Sequence, residues 1–359
     1  MSVARQTGAG QGESLRASER LDRGTVTRAL VIAGLLTFVL VGLPPLISGF
    51  WLDQCTAVAI YSVAALGVGL LYGRVGMVSL CQIALLGMAG WIGLRLSFAT
   101  GLPFPILLLV TGAITAVLGI VIGIPALRLS GLYLALITLM AAGAITVVLL
   151  AWNYPNGGPG FLGRQGSSSG IALMRRPNIA TGDTAYYRYT VVVVAVMFLF
   201  VLWHVAKRPG RAWAAIRQSE PSALAGGVNI TLYKLWAFGL AAFITGVAGC
   251  LLAASGGGLS VYTFPTSASI QLFAVSLMGG IFSLWGAIIG GVFLRLLPAL
   301  FENWHIKPDL LLILFGVGVL QVLLTAPAGI VTQFPQDMKK LGRAIARLFS
   351  GTSRPSEEA

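Results

Sequence analysis

Long apolar runs separated by short polar stretches dominate the pattern along this chain. Most of the runs approach about 20 residues, the length at which an α-helix crosses the roughly 30 Å hydrocarbon core of a bilayer. The pattern predicts ten spans, at residues 29–48, 55–72, 77–98, 103–124, 131–151, 189–206, 233–254, 269–281, 284–300 and 309–326. Alternating segments of about ten residues, which are typical of membrane barrels, do not occur. We therefore expect an all-α, polytopic membrane bundle with about ten transmembrane helices.

The stretch 269–300 is the one part of this pattern that allows two topologies. It is long for a single helix, and Gly279, Gly280 and Gly286 interrupt it in “LMGGIFSLWG”. Two short crossings or a re-entrant pair both return the chain to the side from which it came. We favour two crossings, with helices that are broken at the glycines.

Composition agrees with a membrane protein, since 57% of the residues are hydrophobic and only 10% are charged. A soluble domain carries about 25% charged residues. The three cysteines, Cys55, Cys81 and Cys250, lie in or beside apolar runs and lack the spacing of metal ligands. We interpret them as small core residues, and we expect neither a metal site nor a cofactor.

The formal net charge of +13 is concentrated in three polar stretches, which hold 14 of the 24 Lys and Arg residues: 1–28, 207–217 and 339–354. The positive-inside rule places all three in the cytoplasm, and this position argues against nucleic acid as a partner. The sequence thus predicts a cytoplasmic tail (1–28), a transmembrane domain (29–330) and a second cytoplasmic tail (331–359). Both termini, and the loop 207–232, would face the cytoplasm. The exterior loop 152–187 is either a connector or a docking surface for an external partner.

Several kinds of chemistry are missing from the sequence. No lysine follows a glycine, so the nucleotide-binding P-loop is excluded. The apolar runs contain no Asp or Glu, although proton-coupled transporters usually need such a residue within the membrane. No catalytic constellation is present, and we expect no enzyme. Arg295 lies deepest among the arginines in the apolar runs, and we favour a structural role for it.

The loop 207–232 has the pattern of short capped helices. In “AIRQSEPSALAGGVN”, Ser219 is a suitable N-cap and Pro221 is tolerated in a first turn. Gly226 and Gly227 can end that turn with a left-handed residue, and Thr231 is placed to cap the next span. The alternative is an ordinary interspan loop.

This loop resembles the cytoplasmic “EAA” loop of permease subunits in bacterial ABC importers, in the branch that transports branched-chain amino acids. The residues that carry the resemblance are Arg217, Glu220, Ala223, Gly227 and Asn229. Leu224 departs from it, because an acidic residue is common there. Four further blocks follow the family pattern over about 300 residues: “YGRVGMVSLCQIALLGMAGW”, “LRLSGLYLALITL”, “NGGPG” and “LMGGIFSLWGAIIGG”.

The resemblance implies a permease subunit of the bacterial inner membrane that imports branched-chain amino acids. Its expected partners are a homologous second permease, two cytoplasmic ATPase subunits and an external solute-binding protein. Small residues such as Ala223 would allow close docking to the ATPase, while Arg217 and Glu220 would fix orientation by charge. The alternatives are an ABC permease for urea, amides or another small solute, and an ATP-independent secondary transporter.

Two glycine-interrupted segments are candidates for the translocation path, because such segments at matching places in two halves of a transporter often mark the binding region. Aligning “YGRVGMVSL” with “LMGGIFSL” pairs Gly76 with Gly280 and indicates a parallel repeat. The candidate residues are Gly73, Gly76, Ser79, Gln82, Gly279, Gly280 and Ser283. The alternative is close helix packing through small residues.

Overall fold

The predicted apolar segments fold as helices in a computed structural model, which describes residues 31–127, 129, 131–151, 174, 176–256, 261–305 and 308–325. Within these ranges there is no strand, and the helices are α1 Val31–Gly42, α2 Gly49–Val68, α3 Gln82–Thr100, α4 Phe104–Ala126, α5 Leu132–Ala151, α6 Asp183–Ala206, α7 Arg208–Gln218, α8 Glu220–Ala225, α9 Ile230–Ala254, α10 Thr266–Gly279, α11 Leu284–Asn303 and α12 Pro308–Thr325. Each of the ten predicted spans coincides with one of them, which confirms the all-α polytopic class.

The chain divides into two compact units, Met1–Leu52 and Asp53–Ala359. In the described part of the first unit, α1 is followed by a short 3-10 turn, Pro44–Leu46, and by the first residues of α2. The second unit holds the other helices and both candidate sites. The predicted cytoplasmic tails, 1–28 and 331–359, lie outside the described residues, and the three-part domain division stays a prediction.

Seven helices of the described residues are long and apolar enough to cross a membrane: Gly49–Val75 (α2 with its final turns), α3, α4, α5, α6, α9 and α11. The 14 residues of α10 reach only about 21 Å, which is shorter than the roughly 30 Å hydrocarbon core. The ten-span count and the topology of 269–300 stay predictions.

Helix α9 forms the centre of the second unit, because 94% of its apolar stretch is buried. Small residues bring the neighbouring helices close to it. A Cβ on Gly119 of α4 would collide with the Cβ of Ala242, and one on Gly249 would collide with the Leu86 carbonyl of α3. The outer helices α5 and α11 have only 28% of their apolar stretches buried. Their remaining apolar surface fits contact with lipid.

The largest differences from the predicted boundaries occur where helices break. Helix α2 continues as wider π-helical turns, Gly69–Val75, and ends at Gly76, whose φ of 86° is left-handed. Residues 77–81 are not helical, so the span predicted to begin at 77 begins as a helix only at Gln82. Conversely, α6 begins at Asp183, six residues before the span predicted to begin at 189; most of the predicted exterior loop 152–187 lies outside the described residues.

Candidate functional site

The segment 207–229, which we name the coupling segment, joins the end of α6 to the start of α9. Its first helix, α7, begins after the extended residue Lys207. Ala212, Trp213 and Ile216 are buried along one side of α7, while Arg211 and Ala214 are exposed on the other. This spacing places the apolar residues on one helical stripe, so α7 lies against the bundle and presents a polar face outward.

Trp213 anchors α7 to the beginning of α9. Its side chain is fully buried, and its indole Nε1–H donates a hydrogen bond of 2.8 Å to the carbonyl of Tyr233. A buried tryptophan N–H usually finds such a partner, and the ring contributes a large apolar area besides. Trp213 was not among the residues predicted from the sequence to be functional. The signal that could have identified Trp213 is the stripe of apolar residues along α7.

The caps of α8 agree with the prediction at its start and its end, but the cap of α9 does not. Ser219 Oγ accepts a bond from the Ser222 N–H at 3.4 Å, and Gly227 has a φ of 79° after the last turn. The predicted cap of α9 at Thr231 is wrong. Asn229 Oδ1 accepts from the Leu232 N–H at 3.0 Å instead, because Asn229 is extended and Thr231 already lies inside the helix.

The two sides of α8 differ in exposure, and the docking role of Ala223 stays a prediction. Ala223, the predicted docking residue, has only 4% of its surface exposed, and its carbonyl accepts the Val228 N–H at 3.0 Å. Leu224 is the apolar side chain that points outward, with 63% of its surface exposed. The sequence registered Leu224 only as a departure from the family pattern. Ala223 instead allows α8 to lie close to its own bundle.

Glu220 has a partner within the chain. Its Oε1 lies 2.6 Å from Nζ of Lys234 in α9, with half of the Glu220 side chain exposed and most of the Lys234 side chain covered. Beside this ion pair is an open depression of about 600 Å³, whose lining includes Leu127 and Leu224. The coupling segment is therefore joined to α9 by a charge pair at the edge of a surface depression.

Arg217 also turns toward its own chain. Its Nη1 donates to the carbonyl of Gly73 at 2.5 Å, and its guanidinium lies 4.5 Å from the ring centroid of Phe282. The sequence assigned this arginine to orienting an external partner. Arg217 is also exposed, so that role stays a prediction; within the chain its side chain reaches the two glycine-interrupted segments, 144 and 65 residues away in the sequence.

The two glycine-interrupted segments, which we name the first break (69–81) and the second break (279–283), lie against each other. A Cβ on Gly73 would collide with the Ile281 carbonyl, and the ring of Tyr72 stacks on that of Phe282 at 6.4 Å between centroids. Both paired glycines end helices in left-handed conformations, with φ of 86° at Gly76 and 109° at Gly280. The close approach supports the packing alternative for these glycines.

Of the remaining translocation candidates, Ser79 and Gln82 lie in or just after the first break, and Gly279 and Ser283 lie in the second break. Ser283 lines a cavity of about 20 Å³ together with Arg74, enough room for one water molecule. Gln82 is buried, and its Oε1 accepts from the Thr245 hydroxyl of α9 at 2.8 Å. Ser79 is buried beside Cys81, with 3.3 Å between Oγ and Sγ. Gly279 approaches Gly286 so closely that a Cβ would meet its carbonyl.

The other end of α9 carries a second cluster, which the sequence analysis missed. Arg176 donates to the carbonyls of Ala254 and Ser255, at 3.3 and 2.8 Å, and pairs with Asp183 Oδ1 at 2.6 Å. Its guanidinium also lies over the Tyr186 ring, at 4.9 Å. No local pattern indicates this cluster, because its partners at the end of α9, Ala254 and the C-cap Ser255, are 78 and 79 residues away. In the part of the chain that is described, no three His, Cys, Asp or Glu residues are grouped as metal ligands would be.

The part of the chain that matches known proteins includes the coupling segment, both breaks and the Arg176 cluster. Residues 51–323 match the family described as “Branched-chain amino acid transport system / permease component”. The chain is similar to the “High-affinity branched-chain amino acid transport system permease protein LivM” of Salmonella typhimurium, with 27% identity over 343 residues, which are 90% of this chain and 80% of that protein. The protein of the same name from Escherichia coli is 26% identical over 337 residues, 89% and 78% of the two chains. No solved structure matches the chain.

Proposed function

Because this chain belongs to the family of branched-chain amino acid transport permeases, we propose that it is the membrane-spanning subunit of an ATP-driven importer. It is a multi-pass inner-membrane protein, and its relatives are transport components. In the proposed complex it pairs with a homologous permease and two ATPase subunits. A solute-binding protein on the outer side delivers branched-chain amino acids.

The observation that carries this proposal is the outward face of α8. This short helix is capped by Ser219 at its start and ends at the left-handed Gly227, and it exposes Leu224. The exposed Leu224 lines a depression of about 600 Å³, and a concave surface with apolar lining suits the entry of a partner's side chain. Since the chain has no P-loop, the free energy for import comes from ATP hydrolysed by that partner.

The basic residues of the coupling segment support its cytoplasmic position. Lys207, Arg208 and Arg211 are all exposed at the end of α6, where the positive-inside rule expects them. The Arg176 cluster lies at the start of α6, about 36 Å away along its 24 residues. That end would face the binding protein, and both termini would be cytoplasmic.

Co-purification tests the docking surface. The tagged full chain, expressed with its partner subunits and purified in mild detergent, is expected to bring down an ATPase. A Leu224→Glu variant is expected to lose it. An Ile179→Glu variant is the matched control, because Ile179 is also exposed (79%) but lies at the opposite end of α6. If the native chain retains no ATPase, an ATP-independent transporter becomes the better account.

Uptake by the reconstituted complex tests the solute. Labelled leucine should accumulate only with ATP and the binding protein, and unlabelled isoleucine or valine should compete with it. Competition by urea or acetamide instead would favour the permeases for urea and amides.

The translocation path is proposed to run beside the two breaks, near Gln82 and Ser283. A Gln82→Ala variant separates this role from packing, with Thr245→Val as its control, because the pair shares one buried hydrogen bond. A role in transport predicts a changed selectivity among solutes for Gln82→Ala alone. Equal loss of stability in both variants, with unchanged selectivity, would leave only packing.

A further inference from the structure

Arg217 lies where three parts of the chain meet. It belongs to the last turn of α7, one residue before the C-terminal end of that helix. From there it contacts the first break through the Gly73 carbonyl and the second break through the Phe282 ring. Both breaks are thus joined to the coupling segment by one side chain.

The Gly73 carbonyl is available for this bond because α2 ends there. The Gly76 N–H closes the final turns on the carbonyls of Leu71 and Tyr72, and the last carbonyls of a helix have no partner within it. A cation at that position is also favoured by the helix dipole. Arg217 therefore completes the end of α2.

Phe282 holds the other side of the guanidinium. It belongs to the turn between α10 and α11, and it also contacts the Tyr72 ring of the first break. A planar guanidinium can stack on a ring while it donates a hydrogen bond along its edge, which an ammonium group cannot do equally well. The geometry specifically suits arginine.

We propose that Arg217 is a positioning residue that transmits the motion of the coupling segment to both breaks. The inference rests on the proposed function, since the motion is that imposed by the partner ATPase on α8. Residue Ser219 alone separates α7 from α8, so a displacement of α8 moves Arg217. The ends of α2 and α10 then either move with Arg217 or lose its contacts with Gly73 and Phe282.

The competing role is direct contact with the ATPase, and three variants separate the two. Arg217→Gln removes the stacked cation. Phe282→Leu leaves Arg217 in place and removes only the ring. Arg188→Gln is the control, because Arg188 is an exposed arginine on α6, outside the coupling segment. For each variant in reconstituted complexes, we would measure co-purified ATPase, ATP hydrolysis and labelled leucine uptake.

Arg217→Gln and Phe282→Leu are expected to retain the ATPase and its hydrolysis while uptake per ATP falls about tenfold, within the range typical of coupling between sites. Arg217→Lys should fall between them and the native chain, and Arg188→Gln should equal the native chain. Loss of the ATPase from Arg217→Gln but not from Phe282→Leu would assign Arg217 to the interface and overturn the proposal. Unchanged uptake per ATP in Phe282→Leu would overturn it too. Failure of the native chain to bind an ATPase would instead contradict the proposed function.

Discussion

The two ends of α9 are each held by a basic residue, but in different ways. At the C-terminal end, Arg176 donates to two helix carbonyls and pairs with Asp183. At the N-terminal end, Lys234 pairs with Glu220, and Asn229 caps the first turn. The helix dipole favours a cation at the C-terminal end only. Lys234 gains nothing from the dipole and depends on Glu220.

We name the C-terminal end the fixed end and the N-terminal end the conditional end, because their contacts have different origins. The contacts of Arg176 complete the helix itself and connect it to the start of α6. The contacts at the other end come from α7 and α8, through Trp213 and Glu220. The N-terminal end of α9 therefore keeps these contacts only while the coupling segment remains in its position. An external partner that moves α8 acts on the most buried helix of the bundle.

The largest expected effect is the loss of the Trp213 anchor. Trp213→Ala should lower the free energy of unfolding by about 3–5 kcal/mol, because it empties a fully buried site. Thermal unfolding in detergent measures this. Trp203→Ala is the control, since Trp203 is 57% exposed on α6. Similar melting temperatures for the two variants would contradict the anchoring role.

The fixed end should matter for stability and not for docking. Arg176→Ala removes a cation from the helix carbonyls, and we expect a cost of about 2 kcal/mol, as for hydrogen bonds to charged groups. Co-purification of the ATPase should be unchanged. Loss of the ATPase from this variant, with the chain still folded, would erase the distinction between the two ends.

A glycine in the coupling segment should show a smaller, conformational effect. Gly227→Ala forces a side chain into φ of 79°, at a cost of about 1–2 kcal/mol, and it should weaken ATPase co-purification because the end of α8 shifts. Gly226→Ala is the matched control, since a Cβ there has ordinary contacts and no positive φ is needed. Equal ATPase co-purification by the two variants would show that the left-handed turn at Gly227 is not needed for docking.

The smallest effects on stability are expected from the two carboxylates. Glu220 and Asp183 are both at least half exposed, and Gln and Asn keep an oxygen that can accept from Lys234 and Arg176, so Glu220→Gln and Asp183→Asn should each cost only about 1 kcal/mol. Their effects on transport should differ. Leucine uptake per ATP should fall in Glu220→Gln and remain unchanged in Asp183→Asn, and the reverse order would contradict the assignment of the conditional end.

The sequence predicted the features that local chemistry determines. Apolar length located the helices, and Ser219 and Gly227 marked the start and end of α8 because caps depend on neighbouring residues. The start of α3 was wrong by five residues, since hydropathy does not distinguish the nonhelical residues 77–81 from a helix.

The features that depend on tertiary contact were missed. Arg217 and Glu220 are charged residues of a loop, and we expected them to face a partner. Both also bond within the chain, to Gly73 and to Lys234. Ala223 and Leu224 are neighbours whose exposures differ because only one side of α8 meets the bundle. The Arg176 cluster joins segments that share no local pattern.

Photo-crosslinking from position 224 tests the central claim most directly. A Leu224→Cys chain, labelled with a photoreactive thiol reagent within the assembled complex, should crosslink to an ATPase subunit. Ile179→Cys, exposed at the far end of α6, should not. Crosslinking of the ATPase from position 179 and not from 224 would contradict the account, because force would then enter this chain at the wrong end of α9.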